Sequence, residues 1–424
     1  MLDRRSFLIG AAAAAPATTE ARAQQAKQLT ILAHPVILSV CKGSQAGDVT
    51  ADWCKRTGTT LNWVTLETDP LHERLFREAS LSQTSIDVGF LVNARAMPRV
   101  APLFEQLDPL MQQHPIEDLD DIFPGLRAAM VFDRRTIGIP FRHSTSAMHY
   151  NEALFAERGI AGPPTTVEEF IETARKMTYT RPDGSSVVGF CITGQTYTNI
   201  IDVARMWNGD FIDQSMHVVA NQKPMVQAIT LLRDFYKAGV LPHSFTSIKD
   251  EDVNTWMASG RAAMSFNGAS RTQFYNDPTK SKYPGKFRVA PIPIASALKS
   301  EFPVAPVKTE FWSMVIPKNA TQKDASWSLI TELSSKENTL KEALNGNGPV
   351  RASVYQDPQI KKRLPYASVE AEELRFARIP LPAFDQSARA ADIFVEEMQA
   401  AVLGMKDPQA AMDSVVQRVQ PLVH

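Results

Sequence analysis

Cysteine is scarce: Cys41, Cys54 and Cys191 are the only three in 424 residues. So few thiols exclude a disulfide-stapled scaffold, and no C-x-x-C pair offers a zinc, haem or iron–sulfur site. Cys41 and Cys54 flank one expected helix, which holds their Cα atoms beyond the roughly 7 Å that a bridge can span. Three free, mostly buried thiols are expected.

An excess of either charge is also missing. The 45 basic and 46 acidic side chains leave a net charge of −1, which argues against a nucleic-acid partner or a surface held on anionic lipid. Past the leader, no stretch approaches about 18 consecutive apolar residues, so no membrane span is expected. The sequence has no G-x-S-x-G elbow, no Walker loop, no G-x-G-x-x-G after a strand and no H-E-x-x-H. His143 and His149 are six apart, a poor helical ligand spacing. No carboxylate pair is recognisable, although a pair distant in sequence stays open. The expectation is a non-enzyme with no metal and no cofactor. Proline, at 28, outnumbers glycine, at 20, which favours ordered loops over flexible linkers.

What is present begins with an address. Arg4-Arg5-Ser6-Phe7-Leu8 precedes the apolar run Leu8 to Ala15, Pro16 breaks it, and Ala21-Arg22-Ala23 offers a cleavage site. Residues 1–23 therefore read as a signal peptide of twin-arginine type. An ordinary secretory leader holding two arginines is the alternative. The run is too short to span a bilayer, and no cysteine stands at the cleavage site to carry lipid. The expected product is soluble and periplasmic.

The mature chain alternates strands and helices. Leu29 to Ala33, Leu61 to Leu66 and Ile86 to Val92 read as strands. Helices fill 45–57 and the segment opened by Pro70, with Leu71, Leu75 and Ala79 on one face. Strand–helix–strand–helix–strand implies a parallel sheet with right-handed crossovers. Ile137 to Phe141 leads into a polar stretch, Arg142 to Ser146, and then a strand, Ala147 to Asn151. Thr166 and Glu169 form a capping box for the next helix, and a strand follows over Val187 to Ile192. Met225 to Ala238 is a helix stopped by Gly239. Ala262 to Phe266, Phe287 to Ile294 and Phe311 to Ile316 read as strands. Helices follow over Thr321 to Leu333 and Ser335 to Leu344, with Ser334 and Glu337 as a second capping box, and Pro408 opens the last helix. Two α/β lobes with interleaved sequence are the economical reading.

Several of these blocks resemble one family. Leu29-Thr30-Ile31 with a helix ending Lys55-Arg56-Thr57-Gly58, the strand Ile86-Asp87-Val88, and Gly138-Ile139-Pro140 through Tyr150-Asn151 to Pro164-Thr165-Thr166 are similar to the extracellular solute-binding proteins of ABC importers. The group is the one that includes maltose-binding protein. Ser259 to Met264, Val289 to Pro293, and Ala325-Ser326-Trp327 with Ser334 to Asn338 extend the resemblance over nearly the whole mature chain.

The resemblance implies an α/β, two-lobed periplasmic binding protein fold of type II, with hinge-linked lobes and mixed, mostly parallel sheets. Lobe 1 would comprise residues 27–142 plus 306–350, and lobe 2 residues 143–305 plus 351–424. It further implies a monomer that binds a small-molecule solute, a sugar or polyol, between the lobes and delivers it to ABC transporter permease subunits. Aligning by the matched blocks puts Asn93, Arg95, His143, Ser144, Tyr197, Asn267, Ser270, Arg271, Glu310, Trp312 and Arg351 at cleft-facing positions. Thr309-Glu310-Phe311-Trp312-Ser313 departs from a segment that is often glycine-rich, so Trp312 is a candidate stacking platform. Ala269-Ser270 stands where a maltose-type site carries a Trp, which removes one platform. If Arg95, Arg271 and Arg351 cluster, an anionic solute such as an organic acid or a sugar phosphate is the alternative. A secreted enzyme is the remote one.

Overall fold

The computed structural model describes residues 28–423 apart from Ser44 and Gln214. The expected signal peptide lies outside the described residues. Nine strands form one mixed sheet: β1 (Gln28–Ala33), β2 (Thr60–Thr65), β3 (Val88–Val92), β4 (Ile139–Asn151), β5 (Tyr179–Thr180), β6 (Ser186–Phe190), β7 (Ala262–Gly268), β8 (Phe287–Ala290) and β9 (Thr309–Val315). Their order is β2-β1-β3-β9-β4-β7-β6-β5, with β8 also pairing β4. Pairing is parallel for β1 with β2 and β3, and for β6 with β7. It is antiparallel where the crossing strands join.

The sheet passes through both lobes because β4 serves both. Its first half pairs with β9, with Trp312 opposite Arg142 and Glu310 opposite Ser144. Its second half pairs with β7, with Gly268 opposite Ser146. The polar stretch Arg142 to Ser146, read as a crossing ahead of the strand Ala147 to Asn151, is itself strand. β9 pairs its backbone on one edge, and the His143 and Ser146 amides donate to the Gly348 and Lys308 carbonyls, so the backbone is held although Arg142 Nη1 and Ser146 Oγ have no partner.

Two cores flank this crossing. Leu29, Ile31, Val88, Phe90, Phe141 and Phe311 centre the first. The rings of Phe90 and Phe141 meet edge-on, 5.2 Å apart at 77°, which contributes roughly 0.5–1.5 kcal/mol beyond burial. Phe170, Phe190, Phe235, Phe266 and Phe394 centre the second. Residues Val354 to Leu374, expected in lobe 2, pack into the first core, and the second takes up the chain again at Ala377. Their apolar side chains, Tyr355, Ile360 and Leu364 among them, are complementary to that core.

Local signals account for many boundaries. Gly58 and Gly239 close their helices with φ of 64° and 69°, a conformation that costs glycine little. Thr166 and Glu169 make both capping-box bonds for the helix Val167–Lys176. The second box is corrected: Ser335, not Ser334, accepts from Asn338 and caps Lys336–Leu344. The expected helix over 45–57 is shorter, Ala51–Thr57, and a further helix, Pro35–Cys41, precedes it. Cys41 and Cys191 are buried free thiols, and Cys54 is a half-buried one.

Candidate ligand-binding cleft

Alternation along β4 sends Arg142, Ser144 and Ser146 to one side and His143 and Thr145 to the other. The first set, with Glu310 of β9, lines a cavity of about 720 Å³. From lobe 2 come Thr198 and Asn199 of the helix Tyr197–Arg205, Asp250, and the segment Asn267 to Lys280; lobe 1 adds Gly346. The strands approach closely here: a Cβ on Gly268 would stand 2.7 Å from Ser144 Oγ.

The lining is polar. Asn199 donates to Asp250 Oδ1 at 2.9 Å and accepts from Lys308 Nζ at 2.9 Å. Lys280 pairs with Asp277 at 3.6 Å. Asn267 accepts from the Gly268 amide at 2.8 Å. The side chains of Arg142, Arg271 and Glu310 make no hydrogen bond or ion pair among the described residues. Phe274 is the sole aromatic side chain in the lining. A smaller crevice, about 340 Å³, lies beside the helix Pro124–Ala128, but its guanidinium groups, Arg205 and Arg378, already pair with Asp210.

Five of the eleven expected site residues line the cavity: Ser144, Asn267, Ser270, Arg271 and Glu310. The other six do not. Asn93 is buried and accepts from the Phe311 amide at 2.8 Å, tying β3 to β9. Arg95 pairs with Asp69 at 2.8 Å on the surface. His143, on the opposite side of β4, is buried and bonded to Tyr355 and Thr145. Burial pushes its imidazole down to about 3 and keeps it neutral. Tyr197, expected in a polar loop, opens a helix instead. Its ring packs against Phe211 and Phe394, and its hydroxyl donates to the Pro380 carbonyl.

Arg351 is enclosed, with its guanidinium donating to the carbonyls of Ser334, Asp118 and Glu117. Arg95, Arg271 and Arg351 therefore do not cluster, which removes the condition on which the anionic alternative stood.

Trp312 stands beside the cavity on the lobe 1 wall, against two imidazoles. His72 stacks on it at 5.4 Å and 26°, and His34 lies at 5.6 Å and 44°. Both histidines are anchored. His72 Nε2 accepts from the Val92 amide at 3.1 Å, and its Nδ1 donates to the Thr68 carbonyl at 2.6 Å. Burial pushes its imidazole down to about 4. His34 Nδ1 accepts from the Val36 amide, which leaves Nε2–H facing Glu67 at 3.1 Å. The protein itself thus occupies much of the indole surface.

Residues that the sequence reading missed include Arg142, Asn199, Asp250 and Lys308. A period of two running through Arg142, Ser144 and Ser146 was the available signal for the first. Asp250 and Lys308 had none, because each is brought to the cleft by a partner remote in the chain.

A strand shared by both lobes, two cores and a polar cavity between them form the frame of a known family. The family model of the bacterial extracellular solute-binding proteins matches residues 49–365. The chain belongs to this family. It is an ABC-transporter solute-binding protein with the two-lobed, maltose-binding-protein-like fold. A Sinorhizobium fredii protein described as a probable amino-acid ABC transporter periplasmic-binding protein is 22% identical, over 98% of this chain and 93% of its own. Maltose-bound MalE3 of T. maritima superposes with a TM-score of 0.73 at 22% identity, covering 94% of this chain and 100% of that one. A solute-binding protein from Agrobacterium radiobacter K84 in complex with ribitol gives 0.71 at 20% identity, covering 93% and 98%. Among the described residues of this solute-binding protein, no helix is long and apolar enough to cross a membrane.

Proposed function

We propose that this solute-binding protein captures a small polyhydroxylated solute, a sugar or polyol, between its lobes and delivers it to the permease subunits of an ABC importer. The observation that carries the reading is the composition of the cleft. About 720 Å³ is lined by carboxylates, amides, hydroxyls and cations from both lobes, with Phe274 as its one ring. Such groups converge on hydroxyls, and a solute touching both walls stabilises the closed form by its differential affinity. The maltose and ribitol complexes of proteins with the same fold support this choice of solute.

The reading assigns no catalytic step. It places the mature protein in the periplasm as a soluble monomer, exported through the twin-arginine signal. Replacing Arg4 and Arg5 together by Lys keeps the charge and abolishes periplasmic accumulation if the doublet is read by a receptor. Thermal-shift screening against sugars, polyols and organic acids tests the solute class. A ligand at 100 times its Kd adds about 2.7 kcal/mol of stability. The reading is abandoned if no sugar, polyol or sugar acid raises the melting temperature.

A further inference from the structure

The fold satisfies its enclosed guanidinium groups almost everywhere. Arg205 bonds Asp210 and the carbonyls of Arg378 and Ile379. Arg351 bonds three carbonyls, and Asp121 stands 3.4 Å away. Arg127 and Arg378 each have one buried nitrogen without a partner, but both groups are held in ion pairs, with Asp120 and Asp210.

Arg142 is the exception among the described residues. Its Nη1 is buried without a partner, and the group makes no ion pair. Glu370, the carboxylate whose field reaches it, is bonded to Tyr355 instead. Burial holds the Arg142 guanidinium below its ordinary range, and the field of Glu370 offsets that only in part.

The charges of the cavity point the same way. Lys280 and Asp277 neutralise each other. The remaining cations, Arg142, Arg271 and Lys308, face the carboxylates Asp250 and Glu310, which leaves one positive charge in excess. Closing the lobes removes water from these groups, and a desolvated charge without a partner is costly.

We infer that the solute is a polyhydroxylated monocarboxylate, a sugar acid, whose carboxylate is anchored by Arg142 while Asp250 and Glu310 accept from its hydroxyls. The inference rests on the polyhydroxylated-solute reading and narrows it. One carboxylate balances the excess charge. A phosphate monoester over-corrects it, and a neutral alditol or a zwitterionic amino acid leaves it in place. A planar guanidinium also matches a carboxylate through two parallel hydrogen bonds.

The test is calorimetric titration of the mature protein with ribonate against ribitol, gluconate against sorbitol, and the phosphate monoester of each alditol. The acids are expected to bind roughly 10- to 100-fold tighter than the matched alditols. Arg142→Gln should erase that margin. Its unliganded melting temperature should equal or exceed that of the unsubstituted protein, because an unpaired cation has been removed. Arg142→Lys should keep part of the margin.

Alditols binding as tightly as acids, phosphate esters binding tightest, or a margin that survives in Arg142→Gln would each overturn the inference while leaving the polyhydroxylated-solute reading intact. Failure of sugars, alditols and acids alike overturns both. If Arg142→Gln does not fold, the acid–alditol comparison on the unsubstituted protein decides alone.

Discussion

The Tyr355 hydroxyl donates to the Glu370 carboxylate across 2.7 Å, with both groups buried where the lobes join. With its O–H directed at Glu370, Tyr355 accepts from His143 Nε2 at 2.8 Å. Thr145 Oγ1 lies 2.9 Å from His143 Nδ1 and 2.8 Å from Thr309 Oγ1. The chain of bonds links both crossing strands, β4 and β9, to the helix Ala367–Leu374. The cleft-opposed side of the hinge is therefore a satisfied polar network, and its energetics depend on one carboxyl.

Burial pushes the Glu370 carboxyl up to about 7, against the opposing effects of the Tyr355 bond and the Arg142 charge. The folded state thus keeps a proton that the unfolded chain releases from about pH 4.5 upward. Its contribution is full below that value and is lost as pH rises through about 7. Glu370→Gln should flatten this part of the stability profile. The comparison is with the unsubstituted protein, because Glu342, Glu373 and Asp202, also raised by burial, slope the same way in both. Denaturant melts at about pH 5 and about pH 8 measure it, and an unchanged difference between the two pH values would refute the assignment.

Arg351→Met should destabilise the protein by about 3–5 kcal/mol, because it leaves enclosed carbonyls without donors and Asp121 without its cation. Arg351→Lys should recover little, since an ammonium cannot reproduce the fork that reaches Ser334, Asp118 and Glu117. Urea denaturation gives the loss. Titration of the remaining folded protein should show unchanged solute affinity, and a selective loss of affinity would return Arg351 to the site.

Trp312→Ala removes an indole held against His34 and His72. A fully enclosed Trp costs roughly 3–5 kcal/mol on truncation, and a half-buried one somewhat less, about 2–3 kcal/mol. The loss should appear in the unliganded protein, with affinity changed less than about tenfold. Intact stability together with a large loss of affinity would make the indole a stacking surface for solute.

β4, β9 and a third passage, where Arg378 bridges Lys308, carry the chain between the lobes, so bending them closes the cleft. Small-angle scattering should show a smaller radius of gyration with saturating solute. An unchanged radius, with binding verified by calorimetry, would mean a rigid pocket.

Much of the local structure was legible in the chain. The Thr166–Glu169 box, the glycine stops at 58 and 239 and the apolar face of Leu71, Leu75 and Ala79 depend on residues within a few positions of one another. The five expected residues that line the cavity came from the blocks shared with the family, not from strand periodicity. Arg351 shows where that reasoning stops. Read as a loop cation near a hinge, it is consumed by carbonyls more than two hundred residues away.

What the sequence alone determined was the alternation of elements, their caps and stops, and the order of blocks shared with solute-binding proteins, because these rest on short-range periodicity and backbone conformation. Only the tertiary structure decided which polar side chains face the cleft. A strand residue's side is set by register with partners remote in the chain. His143 and Arg142, adjacent in β4, accordingly have opposite fates: one is sealed in the hinge network, and the other lines the cleft with its charge unpaired.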